Sequence, residues 1–277
     1  MKEIAFLTVV YPGVEPYLPD FFASLNNQSC KDFDLIIYND GLCGLDEKFH
    51  KLTDIRYRIF NVSGSPAKIR EKAINGLKFD GFKYAIFGDG DDYFSENRVT
   101  DSLNLLKKND IVMNDLDLVD DTGRITAKSY LSNRLINNQT IDFDFIVDKN
   151  IFGLSNTAIN LDKIPHVSFT DDLVAVDWYF FTILLKNGLK AVFSNQSKTY
   201  YRQHDSNIVG LGKTLDERVY RNGLNIKKIH YRELSKIFKF YKGLYAKYQD
   251  KFLHADSFYK DCKQINNVEY PLWWELF

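Results

Sequence analysis

Short, continuously apolar runs alternate along this chain with stretches whose apolar residues recur every three or four positions, and that alternation restricts it to an α/β architecture. Residues 4–11 form the first run, closed by Pro12-Gly13; an unbroken apolar strand suits a parallel sheet covered on both faces. Leu18, Phe21, Phe22 and Leu25 then recur at helical spacing, and residues 33–38 read as a second strand ending in Asn39-Asp40-Gly41. A third strand near 56–62, a helix over 66–77 opened by Pro66, and a fourth strand over 84–87 continue the rhythm. Four strands alternating with helices predict a doubly wound, mostly parallel sheet flanked by helices.

The second half is less regular. The spacing predicts a helix over 96–107, a strand over 110–114 and irregular or hairpin structure over 118–138. A helix carrying Trp178, Phe181 and Leu185 on one face follows, ended at Asn187-Gly188, and then a strand over 191–193. Across residues 213–251 apolar residues recur at helical spacing, giving one or two amphipathic helices. We expect one α/β domain over 1–212, with a nucleotide-side half to about residue 95 and an acceptor-side half over 96–212, and a C-terminal helical segment over 213–277.

With 277 residues, 45% of them hydrophobic and 15% aromatic, the chain can fill a real core. A net charge of −1 gives no electrostatic footprint for nucleic acid, so none is expected as a partner. The charge is segregated, however: residues 213–251 hold 11 Lys and Arg against 4 Asp and Glu. A basic amphipathic segment followed by Trp273-Trp274 has what contact with an anionic membrane surface requires, and helices packed on the main domain with a solvated lysine face fit the pattern equally well. Cys30, Cys43 and Cys262 are too few and too scattered for a disulfide framework or a zinc site, which fits a reducing cytosol. The apolar run at the start is shorter than a secretory signal needs, and no stretch of about 18 apolar residues occurs. The expected location is therefore cytoplasmic, with a peripheral position at the inner face of the plasma membrane as an extension.

In doubly wound sheets ligands collect at the carboxyl ends of the strands. There the chain places Asp89-Gly90-Asp91-Asp92, and three carboxylates in four positions repel one another unless a cation or a hydrogen-bond network compensates them. Hard oxygen ligands suit Mg²⁺ or Mn²⁺, whose coordination is usually completed by substrate phosphates. An EF-hand loop is excluded because Phe94 and Thr100 stand where Gly and Glu are needed. Tyr93 breaks a dinucleotide fingerprint, and no Walker A sequence occurs.

Residues 4–10, Ser24-Leu25-Asn26-Asn27-Gln28, residues 33–41, 67–70 and 86–92, in that order, resemble the nucleotide-sugar half of family 2 glycosyltransferases of the GT-A fold. The resemblance continues in Val176-Asp177-Trp178 with Leu185, Asn187 and Gly188, and in Tyr201-Arg202-Gln203-His204-Asp205-Ser206-Asn207, covering roughly residues 4–210. It implies that Asp91 binds the metal, that His204 adds a ligand, and that Asp89 lies near the donor ribose or sugar and is a further metal candidate. Val10, Tyr11, Asp40, Arg70, Gly90 and Arg202 would line the donor site, Arg202 as a second cation for the phosphates. Asp177 matches the family's catalytic base. Val176 replaces the acidic residue that usually precedes it, so Asp172, in the Asp171-Asp172 pair, is a substitute candidate unless that pair caps the helix. Trp178 would either stack on a sugar or belong to the core.

The resemblance implies an inverting, metal-dependent transfer of a sugar from a UDP- or dTDP-linked donor to a hydroxyl of a glycan, lipid-linked or free, in a bacterial surface-polysaccharide pathway. Two other readings stay open: a non-catalytic module of the same fold, and a metal-dependent nucleotidyltransferase. Against the second, Tyr11-Pro12-Gly13-Val14-Glu15 lacks a basic residue after the first strand.

Overall fold

The computed structural model describes residues 3–45, 49–204, 216–262 and 268–277. Residues 205–207 of the Tyr-Arg-x-His stretch, and 213–215 at the start of the basic segment, lie outside the described residues.

One sheet carries the architecture. Its order is β3 (Tyr57–Asn61), β2 (Asp34–Asn39), β1 (Ile4–Val10), β4 (Tyr84–Phe87), β9 (Thr157–Asn160), β6 (Ile111–Val119), β10 (Ala191–Arg202) and β5 (Tyr93–Phe94). β7 (Ile125–Ala127) pairs with β6, and β8 (Thr140–Ile141) pairs with β10. The first four strands in that order are mutually parallel, whereas β9 runs antiparallel to both β4 and β6. The sequence reading of a mostly parallel, helix-flanked sheet therefore holds, with antiparallel strands confined to the second half.

β1 shows why its run is unbroken. Ala5, Leu7 and Val9 join the core on one face, while Ile4, Phe6 and Val10 join the core on the other. α1 (Leu18–Asn26) and α3 (Arg98–Leu106) cover the second face through Phe21, Phe22, Leu25 and Val99. α2 (Pro66–Phe79) and α4 (Val176–Lys186) cover the first through Ile69, Ile74, Phe180 and Phe181. α2 starts where the sequence predicts because Ser65 Oγ accepts from Lys68 N and Pro66 brings a pre-set φ.

The C-terminal segment forms α5 (Glu217–Ile237), α6 (Tyr241–Leu253) and α7 (Ala255–Cys262). Their apolar stripe, including Tyr220, Leu224, Tyr231, Leu234 and Tyr248, belongs to the same core as α4. Trp178 is wholly buried there, stacked on His230 at 3.8 Å with its indole N–H donating to Ile146 O, so it is a core residue. Trp274 is also buried, 6.3 Å from the Trp178 ring. Trp274 thus faces inward, because its neighbours are apolar residues far away in sequence, whereas Trp273 is only partly buried.

Two strands run longer than periodicity predicts. β6 continues to Val119 through Asp115 and Asp117, which are buried yet satisfied: Asp115 accepts from Leu131 N and Ser132 Oγ, and Asp117 from Ser129 N and the Lys198 ammonium at 2.7 Å. β10 continues to Arg202 after a register shift between Ser194 and Lys198. That extension carries Tyr201 and Arg202 to the carboxyl end of β4.

Candidate active site

The parallel strands β1, β2 and β4 end at one sheet edge, so Tyr11, Asp40 and Asp89 emerge together. Asp40 N donates to Val10 O at 2.8 Å, and Gly88 N to Leu7 O at 3.0 Å. Gly88 cannot carry a side chain, because a Cβ there would lie 2.5 Å from the Phe6 ring and 2.6 Å from Phe94. Gly90 packs against the turn after β1, where an added Cβ would meet Val14 at 3.2 Å. Asn39 is locked in place, accepting from Leu42 N at 2.8 Å and donating to Asn61 Oδ1 at 2.9 Å. Its amide shapes the loop, and Asp40 stands half-buried beside it. A hollow of about 490 Å³ lies next to this corner, between Asn39, Leu42, Tyr57 and Asn61.

The three aspartates after β4 are compensated in three ways. Asp89 pairs with Arg70 at 2.6 Å, which brings α2 to the site. Asp91 Oδ2 lies 3.0 Å from His204 Nε2, with both side chains mostly buried and the imidazole stacked on Tyr17. Asp92 is 1% exposed and accepts from Ser155 Oγ and from Arg202 N at 2.8 Å. Burial first, and then the Asp91 and Asp89 charges, push Asp92 well above the usual carboxylate range. Burial likewise raises Asp89, against the pull of Arg70. Burial and the same carboxylates raise the Tyr11 phenol, which places that ring beside them.

Arg202 has different work from the phosphate contact that the family pattern implies. Its side chain is 1% exposed; Nε donates to Asp91 O at 2.8 Å, one terminal nitrogen to Asp121 O at 2.7 Å, and the other to Asp20 Oδ2 at 2.7 Å. The guanidinium thereby ties the acidic loop to α1 and to the turn after β6. Asp172 is exposed and paired with Arg232 at 2.5 Å. Neither it nor Asp171, which accepts from Ser65 Oγ at 2.9 Å, caps α4: the helix begins at Val176 with Ala175 as its N-cap.

Asp177, in the first turn of α4, and Asp89 line one cavity of about 80 Å³, together with Ser155, Tyr201 and Trp273. Asp177 accepts from Trp178 N at 2.8 Å and from Asn150 Nδ2 at 3.2 Å. Burial lifts its pKa to about 7, opposed by the Trp178 N–H bond and reinforced by the Asp89 charge. Asn150, Ser155 and Trp273 escape sequence reasoning because no motif marks them. A hint for Trp273 existed in the Trp-Trp pair, for which the sequence left a membrane contact and packing of the C-terminal segment on the domain equally open.

Whether these residues suit a divalent ion is decided by the donors. Among the described residues no three carboxylate, imidazole or thiol groups gather as a metal cage. Asp91 and His204 form a pair of one oxygen and one nitrogen donor, which fits Mg²⁺ or Mn²⁺ completed by a diphosphate and water rather than a closed protein site.

No family model and no curated protein sequence matches this chain. Solved structures do. The chain is similar to S. aureus TarS 1–349 in complex with UDP at a TM-score of 0.62 and 14% identity, covering 91% of this chain and 71% of that one. For the same fragment with UDP-GlcNAc the values are 0.60 and 16%, over 83% and 66%. GalNAc-T7 with UDP, GalNAc and Mn²⁺ matches at 0.58 and 9% identity, over 98% of this chain and 52% of that one. The fold is that of the GT-A glycosyltransferases. In a further structure of TarS 1–349, the chain spans 66% of that protein's length. On the GT-A scaffold, the sheet edge bearing Asp40, Asp89 and Asp91 is the carboxyl end of the parallel strands, the usual place for a ligand in an open α/β sheet.

Proposed function

We propose that the protein is an inverting, divalent-metal-dependent glycosyltransferase that moves a sugar from a UDP- or dTDP-linked donor to a hydroxyl of a growing bacterial surface glycan. The observation that carries this reading is the shared cavity of Asp177 and Asp89: a carboxylate poised near neutral pH stands beside the loop expected to hold the donor. UDP and UDP-GlcNAc in the TarS complexes, and UDP with Mn²⁺ in that of GalNAc-T7, support a nucleotide-sugar donor and a manganese or magnesium ion.

In this mechanism Asp177 accepts the proton of an acceptor hydroxyl as its oxygen attacks the anomeric carbon. The new glycosidic bond forms as the bond to the nucleoside diphosphate breaks on the opposite face, so configuration inverts and no covalent enzyme intermediate is needed. Asn150 orients the base through Oδ2, and burial keeps its pKa close to working pH. Arg70 holds Asp89 toward the donor. Asp91 and His204 would hold the ion, which when bound neutralises charge on the departing diphosphate. Asp40 and Tyr11 frame the nucleoside end.

The deciding experiment is a thermal-shift screen of UDP-, dTDP- and GDP-sugars with and without Mn²⁺, since a ligand bound only by the native state raises the melting point. A manganese-dependent rise with one nucleotide series is expected. No shift with any series would favour a non-catalytic module.

A further inference from the structure

Trp273 reaches the cavity from a segment nearly 70 residues beyond the last strand. That segment is built into place: Asn150 N donates to Trp273 O at 2.9 Å, Tyr130 Oη to Pro271 O at 2.8 Å, and Arg134 pairs with Glu275 at 3.0 Å. Lys227, itself 1% exposed, donates to the Phe277 main-chain oxygen at 3.0 Å. Two non-glycine residues flanking Trp273 are left-handed, Tyr270 at φ 54° and Trp274 at φ 67°, a conformation that costs energy and persists only where the surroundings enforce it. The indole meets Tyr201 edge to face, 5.6 Å between centroids.

Asn150 links this wall to the chemistry. Its main chain holds Trp273, and its side chain holds Asp177 Oδ2. Trp273 and Asp177 are thus held by one residue and line one cavity with Asp89, whose carboxylate is paired to Arg70. At about 80 Å³ the cavity is far below the roughly 300 Å³ at which small-molecule sites begin, so it admits the reacting edge of a sugar and no nucleotide.

We propose that Trp273 is the platform on which the acceptor's pyranose ring stacks while its hydroxyl meets Asp177, so that the 268–277 segment selects the acceptor. This rests on the glycosyl-transfer reading above. The apolar C–H face of a pyranose matches an aromatic ring, and a large rigid side chain offers that contact at little conformational cost.

The test is steady-state transfer by the full chain from UDP-GlcNAc, or from whichever nucleotide sugar the screen selects, to a panel of p-nitrophenyl pyranosides. Trp273→Ala should raise the acceptor KM about tenfold while the donor KM stays within about twofold, and Trp273→Phe should recover most of the loss. An unchanged acceptor KM in Trp273→Ala, or an equal rise in the donor KM, overturns the platform and leaves the transferase reading standing. If Trp273→Ala does not fold, Trp273→Phe against Trp273→Leu carries the same comparison, and equal acceptor KM values for the two overturn the platform. Absence of both transfer and donor hydrolysis in the native chain, with every nucleotide sugar tried, removes the transferase reading and the platform with it.

Discussion

Asp89, Asp91, Asp92 and Asp177 share a chemistry but not an environment, and their environments dictate what substitution does to each. In the proposed mechanism Asp177 is the one whose protonation suits proton transfer. With a pKa near 7 it is largely protonated at pH 6 and ionised at pH 8, so kcat/KM should rise with pH through an apparent pKa close to 7. Asp177→Asn should lower kcat by about 10² to 10⁴, the usual contribution of a general base, with donor binding retained in the thermal-shift assay. Stability runs the other way. The folded-state pKa lies above the ordinary aspartate value of 3.8, so folding takes up a proton between those values, and the stabilisation present at low pH is lost as pH rises through 7. Asp177→Asn should therefore unfold at least as high as the parent at pH 8, which urea titration at pH 5 and pH 8 will check. Arg202 is the contrasting case. Replacing it with Lys keeps a charge but loses the fork that reaches Asp91 O, Asp121 O and Asp20, and should cost about 2 kcal/mol or more by urea unfolding.

Helix α5 shows how an element can be chosen against its own propensity. Gly223 sits in its interior, where Ala is ordinarily better by about 0.5–1 kcal/mol. A Cβ there would fall 2.2 Å from the Phe277 ring, so the helix meets the end of the 268–277 segment through bare backbone. The steric term should win: Gly223→Ala is expected to lower the melting temperature and to weaken the seating of the 268–277 segment, read as faster proteolysis near Trp273. A gain of stability would mean that Phe277 yields easily. Strand β10 makes a related point. Its start, Ala191, Val192 and Phe193, is a plain apolar run, whereas the part that delivers Tyr201 and Arg202 is polar and is held by pairing with β6 across a register shift. Periodicity finds the first part and misses the second, because neighbouring strands supply the reason for the second.

Across the whole molecule, charge and apolar surface are distributed unevenly. The basic helices bury their apolar stripe on the domain, yet at the turn from α5 to α6 both Ile237 and Phe240 remain 54% exposed, beside exposed Lys236, Lys239 and Lys242. No helix among the described residues is long and apolar enough to cross a membrane. We expect the full chain to co-sediment with vesicles containing anionic lipid, with binding falling steeply as salt rises, and Ile237→Asp with Phe240→Asp to reduce it. Unchanged sedimentation of that double variant would assign the patch another role. Chelation offers a check at the same scale: EDTA should abolish the donor-induced rise in melting temperature, and Mn²⁺ should restore it.

The sequence by itself determined the helix-flanked parallel sheet and the placement of Asp40, Asp89 and Asp91 at its carboxyl edge. Those features are local: an apolar run buried on two faces, a capped helix start and a turn at a strand end are each written in fewer than about 20 consecutive residues. The tertiary structure alone decided that Asp92 and Arg202 are internal fasteners, that Asp172 faces a helix arginine, and that Trp273 stands beside Asp177. Each of these depends on contacts between residues dozens to more than a hundred positions apart. Which side chains meet across such separations is settled by how the elements pack, and the same Asp, Arg or Trp is compatible with either outcome until its neighbours are in place.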